Sequence, residues 1–412
     1  MKKAFLLSIV YTIGSIAISL AFKSLLSYVY PKAQLALFFT MVDIVSLFML
    51  FFIGFRASMS VSYAKNKNLE QDILNGLRIA ISAMCAIGFL VGLYLASKLP
   101  FSYSIFYLAA LFVSSGVYAY FSNQLSMYRL YILVNKTVIL EPLFALIWFL
   151  VLYYVFFVQS QDALYISSIL AAFTVSAYIF LAKKNTHKEP PVALPVFNSE
   201  FKSFLKNSAL GGAEFLFGML ILYFATLFIG YALPIDALGD FQVVVKSFFM
   251  YYIAIFVFPI VKFTLPELSV LVNAKEIDKI KKLNIFIFRY SVVGAVFVTI
   301  FSILFAKPVI SALFGSVYAS AATSLTIMSS ALFFVSINTY QVALLKSMDR
   351  FFLSMSIRAC GTLFFAVYAF LCFSVSPTLE AVCVALTLGY ASMSALSFWL
   401  SKKELKRRFE YL

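Results

Sequence analysis

Residues 205–229 read LKNSALGGAEFLFGMLILYFATLFI. A helix needs about 20 mostly apolar residues to cross the hydrocarbon core of a bilayer, and this run supplies them. Beyond Lys206 it carries one charge, Glu214. Comparable runs recur at 4–30, 33–55, 76–97, 103–125, 138–157, 163–181, 241–261, 283–305, 319–342, 351–374 and 381–400. The chain therefore reads as an all-α polytopic membrane protein with about twelve transmembrane helices. Composition agrees: 412 residues are 63% hydrophobic and 12% charged, with mean hydropathy +0.98. A soluble domain carries about 25% charged residues. The short alternating strands of a membrane barrel are absent from the sequence. Met1-Lys2-Lys3 opens like a secretory signal, but the apolar run to Tyr30 exceeds a signal core and no small-residue cleavage site follows, so it is expected to stay as the first helix.

The four cysteines lie within predicted spans without metal-ligand spacing, and His187, the one histidine, lies in a polar loop. Neither a metal site nor a histidine-based catalytic centre is expected. No phosphate-cradling glycine loop is present, so the chain is not expected to hydrolyse ATP.

Lysine and arginine set the expected topology. If the N-terminus is cytoplasmic, the opposite loops hold only Lys32, Lys98 and Lys307 of the 32 basic residues. The positive-inside bias then puts both termini in the cytoplasm. It also accounts for the formal charge of +15 without nucleic-acid binding. The longest connection on that side contains Lys183, Lys184, Lys188 and Pro190-Pro191. Cutting there gives an N-terminal six-helix bundle over 1–182, a cytoplasmic linker over 183–204, and a C-terminal six-helix bundle with a basic tail over 205–412. The halves would be parallel repeats. Gln124 followed by Arg129, and Gln341 followed by Lys346, end the fourth span of each half. Ala64-Lys65 and Ala274-Lys275 follow the second.

Seven charges fall in the interior of the spans, away from the mouth where Arg78 sits: Lys23, Asp43, Glu141, Glu214, Lys246, Arg289 and Arg358. Each would cost about 2.5–3.5 kcal/mol at the bilayer centre, so such residues face cavities and mark pathways. On the first helix, Ser8, Thr12, Ser15, Ser19 and Lys23 make one polar stripe at helical spacing. The seventh shows Asn207, Gly211, Glu214 and Gly218; the second Thr40, Asp43 and Ser46; the eighth Gln242 and Lys246. Close helix packing explains small residues and serines. Internal pairs such as Lys23–Asp43 and Glu214–Lys246 compete with a transport role for the charges. Arginines near span ends also snorkel.

Phe258-Pro259 followed by Leu265-Pro266-Glu267-Leu268-Ser269, the turn Leu313-Phe314-Gly315-Ser316-Val317-Tyr318-Ala319, the segment Gln341 to Arg350, and Gly54-Phe55-Arg56 with Ala64-Lys65 resemble the Wzx-type oligosaccharide flippases. These belong to the multidrug, oligosaccharidyl-lipid and polysaccharide exporter superfamily. The resemblance implies a MATE-like V of two six-helix bundles whose first, second, seventh and eighth helices line a central cavity. It implies translocation of polyprenyl-pyrophosphate-linked repeat units, for O-antigen of lipopolysaccharide or for capsule, across the bacterial inner membrane by alternating access. A polysaccharide polymerase and a chain-length regulator would be partners. Lys23, Lys246, Arg289 and Arg358 are the expected pyrophosphate contacts, and Ser15, Ser19, Asn207 and Gln242 the sugar contacts. Asp43 and Glu214 are the expected coupling sites for H+ or Na+, with no cofactor. Two other functions stay open: a multidrug or organic-cation antiporter of the same fold, and a membrane glycosyl-transfer enzyme or polymerase, against which the short outer loops weigh.

Overall fold

The computed structural model describes residues 2–98, 104–184, 191, 194–348 and 350–410. His187, Lys188 and Pro190 of the expected linker lie outside the described residues. Among the described residues twelve helices are long and apolar enough to cross a membrane. In chain order they are α1 (Lys2–Val29), α2 (Lys32–Lys65), α3 (Glu70–Lys98), α4 (Ile105–Met127), α5 (Tyr131–Leu150), α6 (Asp162–Lys184) and α7 (Ser199–Ala232). Then α8 is a composite of Ile235–Gly239, Lys246–Tyr252 and Phe258–Asn273, joined by π turns at Asp240–Val245 and Ile253–Val257. The last four are α9 (Ile277–Phe314), α10 (Ala321–Ser347), α11 (Phe351–Val375) and α12 (Leu379–Glu410). The chain is a multi-pass membrane protein.

The helices outrun the apolar segments that announce them. α9 has 38 residues, about 57 Å at 1.5 Å per residue, against a hydrocarbon core of about 30 Å. Part of its excess is the polar turn containing Asp278, Lys279, Lys281 and Lys282, where Lys279 pairs with Glu276 at 2.6 Å; the rest continues past the expected span to Phe314. Starts follow local chemistry. Pro31 and Pro234 precede α2 and α8, and acids occupy the first turns of α3, α6, α7 and α12, where the helix dipole favours negative charge. α9 stops at Gly315, with φ 88° and ψ 162°, a conformation essentially confined to glycine.

Two compact units divide the chain, Met1–Leu216 and Phe217–Leu412, with the boundary inside α7. In the first unit α4 packs on α2, α3 and α6, and α5 packs on α1 and α6. The early part of α7 belongs here. Phe201 and Phe204 enter a core with Phe52, Phe55, Leu77 and Ile81, and Asn66 donates to Glu200 at 2.8 Å. Gly54 of α2 meets the backbone of Gly211 and Gly212, so close approach explains those two glycines. In the second unit α10 is packed by α8, α9 and α12, and α11 lies on α12. Gly218 of α7 is covered by the Arg358 guanidinium.

The repeated glutamines have one role in each unit. Gln124 is buried in α4 and accepts a hydrogen bond from Lys183 Nζ. Gln341 is buried in α10 and accepts from Ser401 Oγ of α12 at 2.5 Å. Each ties the fourth span of its half to the sixth. Lys183, expected in a loop, lies at the end of α6 with no exposed surface, its ammonium 5.6 Å from the Phe121 ring and 5.8 Å from Tyr128.

Candidate functional site

A cavity of 530 Å³ lies within the first unit between α1, α2, α4, α5 and α6. The α1 stripe forms one wall: Ser15, Ser19 and Lys23 all line it, at the three-and-four spacing that sets residues on one helix face. Lys23 Nζ stands 4.5 Å from the centroid of the Phe39 ring on α2, a cation–π distance. Phe22 and Phe38 close the space beside it. They continue into an aromatic cluster where α1 ends and α6 begins. Phe22 contacts Phe149 at 5.6 Å, Phe38 contacts Tyr165 at 5.3 Å, and Tyr165 stacks on Tyr107 at 4.8 Å. Polar bonds hold that cluster. Tyr107 donates to Asp162 at 2.8 Å, Ser160 donates to Asp162 at 2.6 Å, and Tyr30 donates to the Ser160 carbonyl at 2.9 Å.

Glu141 and Tyr118 form the wall opposite in sequence, from α5 and α4. Their side chains are hydrogen-bonded, and Tyr118 also interacts electrostatically with Arg56 of α2. Three spans thus contribute one polar chain. Glu141 sits directly before Pro142, which is inside α5; a proline there removes one backbone donor and opens the helix locally. The cavity therefore carries both signs of charge, hydroxyls from Ser15, Ser19, Ser46, Ser115 and Ser168, and aromatic faces. Asp43 is half-buried on α2 but does not line it, although Phe39, Val42 and Ser46 do.

The second unit contains a buried cation of its own. Lys246 Nζ lies 4.4 Å from the Tyr223 ring and 3.4 Å from Thr226 Oγ1, both on α7. It begins the straight segment that follows the first π turn of α8. Gln242 is buried within that turn, and Ser247 donates to the Gln242 carbonyl at 2.9 Å, five residues back. Wide turns of this kind gather at functional positions. Glu214 is buried on the part of α7 that belongs to the first unit, and Asn207 is exposed two turns earlier. Arg358 is half-buried on α11 against Gly218. Arg289 is exposed on α9 and borders a separate groove in the second unit.

The structure thus brings Ser15, Ser19 and Lys23 into one cavity, and gathers Lys246 and Gln242 on α8. Glu141 is visible in the sequence as an intramembrane charge but not as a cavity wall, and Tyr118 is not visible at all. Its importance comes from partners on α2 and α5, which no local pattern reports. Among the described residues no cluster of three or more His, Cys, Asp or Glu is placed to ligate a metal.

No protein-family model matches the sequence, and no curated protein matches it significantly. Solved structures do share its fold. A multidrug-resistance MATE family transporter of the MOP superfamily, inward-facing, superposes with TM-score 0.79 at 14% identity, over 97% of this chain and 99% of that one. The lipid II flippase MurJ in an inward closed conformation gives 0.70 at 13%, over 98% and 90%. A MOP superfamily transporter from Pyrococcus furiosus, whose binding pocket of reverse polarity suggests a different function, gives 0.71 at 16%, over 99% and 96%. The fold is MATE-like.

Proposed function

We propose that the chain is a flippase that moves polyprenyl-pyrophosphate-linked oligosaccharide from the cytoplasmic to the opposite leaflet by alternating access. The observation that carries this is Lys23: a cation within a membrane span, on the wall of a 530 Å³ cavity lined with hydroxyls. An anionic pyrophosphate entering a low-dielectric core loses hydration worth far more than any neutral contact returns, and a fixed cation with hydrogen-bond donors offsets that loss. Lys23 in the first unit and Lys246 in the second are the proposed pyrophosphate contacts, with Arg358 secondary. Ser15, Ser19, Gln242 and Asn207 are the proposed sugar contacts. One neighbour of the fold moves lipid II, a lipid-linked substrate, which supports the substrate class. Another has a pocket of reverse polarity, so pocket charge differs between proteins of this fold.

The lysine distribution supports cytoplasmic termini, and the substrate class supports the bacterial inner membrane, with a polymerase and a chain-length regulator as downstream partners. Asp43 and Glu214 are proposed coupling groups for H+ or Na+, and the Tyr118–Glu141 bond adds Glu141 to them. A second function, export of an organic cation, is favoured by that same acid beside aromatic walls.

The deciding experiment reconstitutes the full chain in liposomes with a fluorescent polyprenyl-pyrophosphate oligosaccharide. Transbilayer movement that Lys23→Ala abolishes supports the flippase. Absence of movement together with efflux of a cationic dye assigns the cation exporter instead.

A further inference from the structure

Arg289 borders a groove of 630 Å³ on the second unit, formed by α9, α10 and α12. Phe288, Phe334 and Phe398 wall it, and Asn284 and Gln341 line it as the arginine does. Phe333 is shared with a second hollow of 380 Å³ higher along α9, bounded by Val292, Val296 and Ile300. The two hollows make one apolar track. From Arg289 to Thr299 it climbs about 15 Å at 1.5 Å per residue, which is half of a hydrocarbon core of about 30 Å, the depth of one leaflet. Phe286, Val293 and Phe297 on the same helix are exposed, as expected of a surface bathed in lipid.

The charges here are arranged for an anion. No acid pairs with Arg289 among the described residues. Exposed Lys281 and Lys282 begin α9, and exposed Lys402 and Lys403 lie near the end of α12. Lys403 sits 5.4 Å from the Trp399 ring, and tryptophan marks the membrane–water boundary. Gln341 donates to Asn284 Oδ1 at 3.4 Å, which leaves the Asn284 amide nitrogen as a donor. The corresponding arginine of the first unit makes the contrast. Arg78, also on a third span beside an apolar groove, donates to Asn75 at 2.7 Å and lies 5.2 Å from the Tyr120 ring. Its unit satisfies it; Arg289 is left for something from outside.

We propose that this groove holds an anionic phospholipid of the surrounding bilayer. The phosphodiester meets the Arg289 guanidinium and the Asn284 amide, the lysine rim draws it in, and one acyl chain follows the Phe333 track. Basic pockets between membrane helices on the lysine-rich side bind acidic headgroups by this combination. The site is distinct from the cavity of the first unit and does not depend on what that cavity transports.

Trp399 adjoins the groove residue Phe398, and the chain has only one other tryptophan, Trp148. The full chain carrying Trp148→Phe is placed in bilayers doped with equal amounts of acyl-brominated phosphatidylglycerol or phosphatidylcholine, and quenching of Trp399 is compared. The expected result is about fivefold preference for phosphatidylglycerol, the effect of one basic residue at an anionic surface. Arg289→Gln brings the ratio to about 1, while Arg289→Lys keeps a preference. A ratio of 1 without any change at Arg289, or a preference undiminished in Arg289→Gln, overturns the proposal. Equal displacement of the brominated phosphatidylglycerol by added polyprenyl pyrophosphate would also overturn it, giving the groove to a lipid-linked substrate.

Discussion

Gly54 of α2 lies so close to Gly212 of α7 that a methyl group on Gly54 would overlap the Gly212 backbone nitrogen. Backbone against backbone leaves no side chain to yield. Gly54→Ala is expected to cost at least the 1–3 kcal/mol typical of overpacking. The check is the midpoint of thermal unfolding in detergent, with Gly14→Ala as comparison, since its added methyl meets only the flexible tip of Ile139.

Lys183 is expected to depend on Gln124. Gln124→Leu removes the carbonyl that accepts from its ammonium and should cost about 1–3 kcal/mol, the range for an unsatisfied buried group. Gln124→Glu keeps an acceptor of the same shape and should retain most of the stability. Denaturation of the two variants side by side distinguishes loss of the bond from loss of volume.

Removal of Lys23 should weaken transport far more than stability. A charge-assisted hydrogen bond contributes about 1.5–3 kcal/mol, so Lys23→Ala is expected to slow movement of an anionic lipid-linked substrate about 10- to 100-fold. Lys23→Arg should recover part of it. An unchanged rate would take Lys23 out of the pathway.

Gly315→Ala tests the turn between α9 and α10. At φ 88° and ψ 162° a side chain is strained by about 1–3 kcal/mol. The expected outcome is a lower unfolding temperature with lipid selectivity at the α9 groove unchanged.

Tyr30 links stability to alkaline pH. Burial, then Tyr153 and Asp162, push its hydroxyl from 10.0 up to about 12. The folded state therefore holds that proton more tightly than the unfolded state. The contribution is complete below about pH 10 and is lost as pH rises through about 12. Tyr30→Phe should flatten that part of the stability profile.

The spans were plain in the sequence because bilayer thickness dictates their length, and the α1 stripe because helical period alone aligns Ser15, Ser19 and Lys23. Gln124 and Gln341 stood out as a repeated spacing, although what they bind did not. The remainder is tertiary. Tyr118 matters through Arg56 and Glu141, which are distant in sequence. Lys183 follows an apolar run and so resembles an ordinary flanking charge, yet α6 continues far enough to bury it. Arg289 looked like any deep cation until its neighbours on α10 and α12 were known. The π turns of α8 leave no mark in composition, since their residues are as apolar as those of plain helix around them.

Those turns give α8 a kind of mechanical adjustability. Each accommodates a residue for which regular α-helix has no place, an angular offset of about 100°. Removing one residue from the stretch 240–245 would leave a continuous helix and keep Lys246 on about its present heading toward Tyr223, because the wide turn has already taken up the additional residue. At such a turn a single residue can be gained or lost without rotating everything beyond it. A drifting sequence can therefore change length there in one step while keeping the buried charge aimed and the span intact.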